Sequence, residues 1–514
     1  MTIREWMNSL LPINRLPLEV LSLIPTHLPS QGDRFRATFV CRRWRKTLLQ
    51  HAGLWSRLSL SKGEVYVKTL LERVKGSPLS ILASGVDPVC TISLLPPYTK
   101  QITSLGFVSS SWADIQTFSE IGSLPLLRSL TINAVRETVI NPDDPDTYVM
   151  TMTPPSQPLF NGAVNLKLFR LRSEGSAFLS HFVFPNLTSF ELSVAASEEK
   201  FHCSQLLDFL EASPMLQVVH MKIATRLSFE GIPGGRLVVL HNVETFSLVA
   251  SDSKGIHELA TDISCPSVKH TSLTHIGKRD TAYTYSVESF PAPSSLNTII
   301  HQYTTSSIEE VTLKMEDNHF DEAIACSLTL LSSDATIIIF HFETTGDDEG
   351  QVNREWVRSF HEIYGNVLLD ASQSILGVPL LADVKRLHLD GLFDLCRTES
   401  SANRLGERLR SLGPLEELTI YRCDMRLFFF PFLCRSVYRG RGERPAYPLI
   451  RVLTISDPDG MFDEDVVAGL AKFAKAQHER GVPFERVTIH VNNPPAKMEE
   501  RLRPWVGAVD WNPI

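Results

Sequence analysis

At 514 residues the chain exceeds the roughly 250–300 residues at which one hydrophobic core stops growing, which excludes a single compact domain. Hydrophobic residues at 43% and charged residues at 21% exclude wholesale disorder, and a formal net charge of −8 argues against a chain that coats nucleic acid. The eight cysteines form no C-x-x-C pair and no His pair completes a zinc pattern, so neither metal nor cofactor is expected.

The first residues, MTIREWMNSLLPINRLP, contain no apolar run of signal-peptide length, and nowhere do about 18 apolar residues follow one another. A cytoplasmic and/or nuclear protein without a membrane partner is expected. From Leu16-Pro17 a helix is predicted, with Glu19 in its first turn, where the helix dipole favours an acid. Leu18, Val20, Leu21 and Ile24 give it an apolar surface. Pro25 lacks the N–H a helix interior needs, at a cost of about 3 kcal/mol, so the helix should end or kink there. After Leu28-Pro29 a second apolar pattern starts at Phe35, Phe39 and Val40 and continues through Trp44, Leu48 and Leu49. Leu54-Trp55 follow a Gly turn. Three short helices in about 45 residues cannot bury this many large side chains alone, so some must face a partner or the adjoining region.

This segment resembles an F-box. Leu16, Pro17, Glu19, Val20 and Leu21 match the family's opening, and Leu28-Pro29 its break. Val40, Cys41 and Trp44 match its core, and Leu54-Trp55 its close. The resemblance implies docking on a Skp-family adaptor, which connects the chain to a cullin–RING ubiquitin ligase. The implied adaptor-binding residues are Leu16, Pro17, Glu19, Val20, Leu21, Ile24, Leu28, Val40, Cys41 and Trp44. Trp44 and Trp55 are expected as apolar anchors, with Arg42, Arg43 and Arg45 along a helix flank. Cys41 is expected as a small buried hydrophobe. The F-box is placed at 10–60, followed by a connecting and capping segment at 61–100.

Beyond it, the pattern apolar-x-x-apolar-x-apolar recurs. It appears at Leu127/Leu130/Ile132, Leu166/Phe169/Leu171, Leu187/Phe190/Leu192, Leu216/Val219/Met221 and Val243/Phe246/Leu248. It continues at Ile308/Val311/Leu313, Val384/Leu387/Leu389, Leu415/Leu418/Ile420, Ile450/Leu453/Ile455 and Phe484/Val487/Ile489, with weaker copies starting at Ile102, Val268 and Ile337. The last two positions of each copy share one face of a short strand. The first lies on the turn leading in, often marked by Pro or Asn. Helical periodicity fills the gaps at 201–213, 398–413 and 463–477. Strand followed by helix, repeated, resembles the leucine-rich repeat family, and the resemblance implies a curved solenoid over 101–514. The spacing between copies is irregular, and the segments 140–158, 277–295, 343–356 and 438–448 read as surface loops.

The fold expected is therefore α/β: a small all-helical F-box followed by an irregular leucine-rich-repeat-like strand–helix solenoid. In its C-terminal copies the non-apolar strand positions are Arg386, His388, Asp390, Glu417, Tyr421, Arg486 and His490, which stacked together give a mixed-charge surface for an unknown protein substrate. No P-loop, G-x-S-x-G or H-E-x-x-H stands in the sequence, so no catalytic residue is expected. The acids of 457–465 are assigned to a helix start rather than a cation site. These expectations make the chain the non-enzymatic substrate receptor of an SCF-type ubiquitin ligase. The competing reading is a repeat scaffold or receptor whose helical end is only a structural cap. A cap turns its apolar face inward, whereas a docking module leaves Leu21 and Ile24 exposed.

Overall fold

The computed structural model describes residues 10–28, 31–84, 89–134, 137–141, 144–151, 158–173, 179–197, 199–251, 253–277, 303, 308–318, 323–332, 337–344, 384–391, 415–422, 450–457, 462–479, 481–492, 495 and 497–512. The chain is mixed α/β, with a small helical N-terminal region followed by a strand-rich region, and forms two compact units, Met1–Val219 and His220–Ile514. Among the described residues no helix is long and apolar enough to cross a membrane.

Unit 1 opens with α1 (Leu18–Leu23), α2 (Gln31–Ala37) and α3 (Arg42–Gln50), then β1 (Arg57–Ser59), α4 (Glu64–Val74), β2 (Leu79–Ser84) and α5 (Val89–Ile92). It continues through β3 (Ile102–Ser110), α6 (Trp112–Ser119), β4 (Ser129–Ala134), β5 (Glu137–Asn141), β6 (Asp144–Thr151), β7 (Leu168–Ser173), β8 (Ser189–Val194), β9 (Phe201–His202) and α7 (Cys203–Glu211). The unit boundary falls within β10 (Val218–Ile223). Strands β1, β2, β3, β4, β7 and β8 pair in that order, every pair parallel. The ladder thus reaches back to residue 57.

The register explains the recurring spacing. Leu58, Ile81, Leu105, Leu130, Phe169 and Phe190 stand side by side and are all buried. The outward positions between them are mostly small or polar, with Leu82 and Leu168 as apolar exceptions. The leading Asn has a mechanical role. Asn165 donates its side-chain amide to the Pro125 carbonyl at 2.7 Å, and Asn186 donates to that of Val164 at 2.9 Å, each reaching back to the preceding turn. Phenylalanines fill the space behind the ladder, with the Phe169 ring 4.8 Å from Phe182 and 5.2 Å from Phe184. The segment 140–158, expected as a loop, instead contributes to the antiparallel hairpin β5–β6.

Unit 2 contains β11 (Leu227–Ser228), β12 (Val238–Val239), β13 (Thr245–Ala250), α8 (Ser253–Thr261), β14 (Ile263–Ser264), β15 (His270–Gly277), β16 (Ile308–Asn318), β17 (Ala323–Ser332) and β18 (Ile337–Thr344). Then come β19 (Arg386–Asp390), β20 (Glu417–Tyr421), β21 (Val452–Asp457), α9 (Glu464–Glu479), β22 (Phe484–Val491), α10 (Met498–Leu502) and β23 (Val506–Asn512). The predicted helix at 398–413 and the loops at 343–356 and 438–448 fall wholly or mainly outside the described residues, as does nearly all of 277–295.

From β19 to β23 the strands pair in chain order and in parallel, like those of unit 1. Between β15 and β19 they do not. β15 pairs with β18, β18 with β17, β17 with β16, and β16 with β19. The copies at Ile308 and Ile337 therefore occupy the sheet in reversed order, with an unforeseen strand, β17, running antiparallel between them. The links 319–322 and 333–336 are too short for a parallel crossover, which needs about a dozen residues, so the three strands must form a meander. Behind this sheet Tyr303 is fully buried, with its ring 5.5 Å from Phe246 and its hydroxyl donating to the Ala260 carbonyl at 3.4 Å.

Candidate docking surfaces

The helical N-terminus is assembled around its large apolar residues. Pro17 is the N-cap of α1, and its carbonyl accepts from Leu21 N–H at 3.0 Å. The helix ends at Leu23, and Pro25 sits in the 3₁₀ turn Ile24–His27, as its missing N–H requires. On α3, Trp44 and Leu48 are buried while Arg42, Arg43 and Arg45 are exposed. The Arg43 Nη2 donates to the Leu16 carbonyl at 2.6 Å, tying α3 to the entry of α1. Trp55 is fully buried, donates Nε1–H to the Leu48 carbonyl at 3.1 Å, and meets the Phe35 ring at 5.1 Å. The Arg73 guanidinium of α4 lies 5.2 Å from the Trp55 ring centroid. Arg34 is buried and donates to the Leu28 carbonyl at 3.3 Å; desolvation and then Arg57 lower its pKa.

This packing sorts the implied adaptor-binding residues. Leu21 at 0% exposure and Trp44 at 5% pack into the core of this helical region, so Leu21 is not exposed. Cys41 is half-buried at the N-cap of α3, not buried as expected. Leu16, Ile24 and Leu28 are half-buried, and Pro17, Glu19, Val20 and Val40 are exposed. Among the described residues of 10–40, the exposed large apolar side chains are Leu10, Leu11, Ile13, Leu18, Val20, Leu23, Phe39 and Val40, with Phe39 at 72%. Val20 and Leu23, three residues apart, share a side of α1 turned away from Leu21. This concentration of exposed apolar side chains within residues 10–40 makes the segment a candidate interaction surface. Leu18, Leu23 and Phe39 were missed as site residues, because periodicity finds an apolar helix without saying which side its own module covers.

A second surface lies on unit 2. The outward positions of β16 and β19–β23 align in three rows. One is Glu310–Arg386–Glu417–Val452–Arg486–Ala508 and the next Thr312–His388–Thr419–Thr454–Thr488–Asp510. The third is Lys314–Asp390–Tyr421–Ser456–His490–Asn512. All seven outward residues named from the sequence stand on this one face. Its charges are largely internally paired. Glu310 accepts from Arg386 Nε at 2.8 Å and lies 3.4 Å from His388 Nε2, while Arg486 lies 3.5 Å from Asp510.

Arg422, just beyond β20, was not foreseen. It donates Nε–H and Nη2–H to Asp390 Oδ1 at 3.0 and 2.8 Å, and its guanidinium lies 4.9 Å from the Tyr421 ring centroid. Its φ of +50° is rare for a side-chain-bearing residue, and its N–H donates to the Ser456 carbonyl at 2.9 Å. No periodic pattern announces a residue placed by such a turn. Among the described residues no group of three or more His, Cys, Asp or Glu side chains is arranged to hold a metal ion.

These features define a small helical N-terminal region with exposed apolar side chains, followed by a strand-rich α/β region. Residues 13–61 match the F-box-like family model. No curated protein was found to match the chain.

Proposed function

We propose that the protein is the substrate-recognition subunit of an SCF-type E3 ubiquitin-protein ligase. The F-box-like segment binds a Skp-family adaptor and, through it, the cullin–RING ligase, and the strand-rich region holds a target protein. The observation that carries this reading is the coincidence of the family match at 13–61 with the exposed apolar side chains of residues 10–40. The strand-rich region is read as an irregular leucine-rich-repeat-like array, supported by the chain-order parallel pairing of β1–β4, β7 and β8 and of β19–β23. In this role the chain supplies no reacting group. It holds the target near the charged conjugating enzyme, which is catalysis by proximity.

The test is capture of the full chain on an immobilised Skp-family adaptor, beside Leu23→Asp and Val20→Asp. Both side chains are exposed, so both variants should keep the wild-type melting temperature and lose capture. The competing reading, a structural cap for a scaffold, is favoured by the inward packing of Leu21, Trp44 and Trp55. Folded wild-type chain that the adaptor fails to capture would establish the cap and remove the ligase assignment.

A further inference from the structure

Among the described residues β23 stands at an edge of its sheet and carries neither a Lys, a Pro nor a bulge. β23 pairs in parallel with β22, and among the described residues that is its one strand partner. Natural sheets blunt such edges with Lys, Pro or a bulge. Residues 506–512, VGAVDWN, contain neither Lys nor Pro, and their pairing with β22 shows no register shift. The single charge, Asp510, is engaged by Arg486 at 3.5 Å. Trp511 ends the core row that runs through Ile455 and Ile489, yet 45% of it is exposed.

We propose that β23 pairs antiparallel with β23 of a second copy of the chain, about a two-fold axis at Val509. This register engages the whole strand. Val506 faces Asn512, Gly507 faces Trp511, Ala508 faces Asp510, and Val509 faces its equivalent, while Pro504 and Pro513 fall just outside the ladder. The side chains are self-complementary in this register. A Cβ on Gly507 would stand 2.8 Å from the Glu485 carbonyl oxygen, so glycine is required there, and Gly507 is exposed. Each Trp511 then covers the opposite Gly507, a pairing in which an aromatic ring shields a cross-strand glycine. On the other face each Asp510 meets Ala508, so like charges are not opposed. Seven residues a side fall well short of the roughly 800 Å² per partner of a standard interface, so association depends on concentration.

Sedimentation equilibrium of the full chain from about 1 to about 100 µM tests this, beside Val509→Pro and Trp511→Lys. The wild-type mass should climb from monomer towards dimer across the range, while both variants stay monomeric with an unchanged far-UV spectrum. Trp511→Lys alone decides the matter if Val509→Pro unfolds. A wild type that is monomeric throughout, as an edge reserved for a strand of another protein would be, overturns the proposal. So does a dimer that survives both substitutions.

Discussion

Asp262 is placed where a carboxylate is least welcome. It follows the last residue of α8, at the negative end of the helix dipole, and its N–H donates to the Glu258 carbonyl at 3.2 Å. Burial is the main cause of its raised pKa and the Glu258 charge adds to it, with Arg236 opposing. A carboxyl whose folded pKa is raised contributes stability below its unfolded pKa, and that contribution is lost as pH rises through the folded pKa. Asp262→Asn should therefore melt above the wild type at neutral pH, with the gap closing as pH falls through the raised pKa. Thermal melts of both proteins across that range are the check; a constant gap would mean that Asp262 does not titrate as described. Cys265 shows the same physics without the charge. It is fully buried, and burial pushes its thiol well above the ordinary range, so it is an inert core residue.

At the scale of single elements, α6 shows how local sequence fixes a start. Ser111 Oγ accepts from Asp114 N–H at 3.1 Å, and Asp114 Oδ2 accepts from Ser111 N–H at 3.3 Å, a reciprocal capping box. The helix then buries Trp112, Ile115 and Phe118, with Phe118 edge-on to Phe107 at 5.2 Å. Ser111→Ala should cost about 1 kcal/mol in denaturant unfolding and Ser111→Asn much less. Equal losses would show that the cap is not the stabilising contact. Short strands were the most legible elements, because a two-residue period with one buried face leaves little freedom of register. The copy at Leu130 and Ile132 became β4, and that at Leu453 and Ile455 became β21. Less legible was which strand lies beside which. β17 carries no leading turn residue of the repeated kind, and nothing in the spacing at Ile308 or Ile337 reveals the reversal. Chain order is a sound guide to neighbours only where the connections are long enough to permit parallel crossovers.

For the whole molecule, the proposed division of labour predicts that the two surfaces can be disabled separately. Tyr421→Ala and Arg422→Ala alter the mixed-charge face of unit 2, whereas Leu23→Asp alters the N-terminal apolar surface. Calorimetric titration with the adaptor should give wild-type affinity for the first two and a loss of at least about tenfold for the third, equivalent to about 1.4 kcal/mol. Weakened adaptor binding in Tyr421→Ala would mean that the surfaces are not independent. The candidate face was legible in the sequence because Arg386, Glu417 and Arg486 occupy equivalent places in successive copies. The candidate N-terminal surface was legible only as a segment. Resemblance placed the module at 10–60 and the family match falls at 13–61, but only side-chain orientation shows that Leu21 is buried while Leu18, Leu23 and Phe39 are exposed.

The reversed meander also bears on how unit 2 comes together in time. In the rest of the ladder each strand meets one only a few tens of residues away. β18, by contrast, must find β15 between His270 and Ile337, and β16 must find β19 between Glu310 and Arg386. The hairpins β16–β17 and β17–β18 need only four-residue closures and belong to the microsecond class of events. Pairings across long separations reward the chain only after loop entropy has been spent, and they are slow. Contact separation alone therefore favours the meander as the first part of its sheet to form, with its outer strands β16 and β18 pairing with β19 and β15 afterwards. The expected order is meander first, with the pairings at β15 and β19 formed later and more slowly; stopped-flow refolding in which β15–β18 contacts form as fast as the hairpins would contradict it.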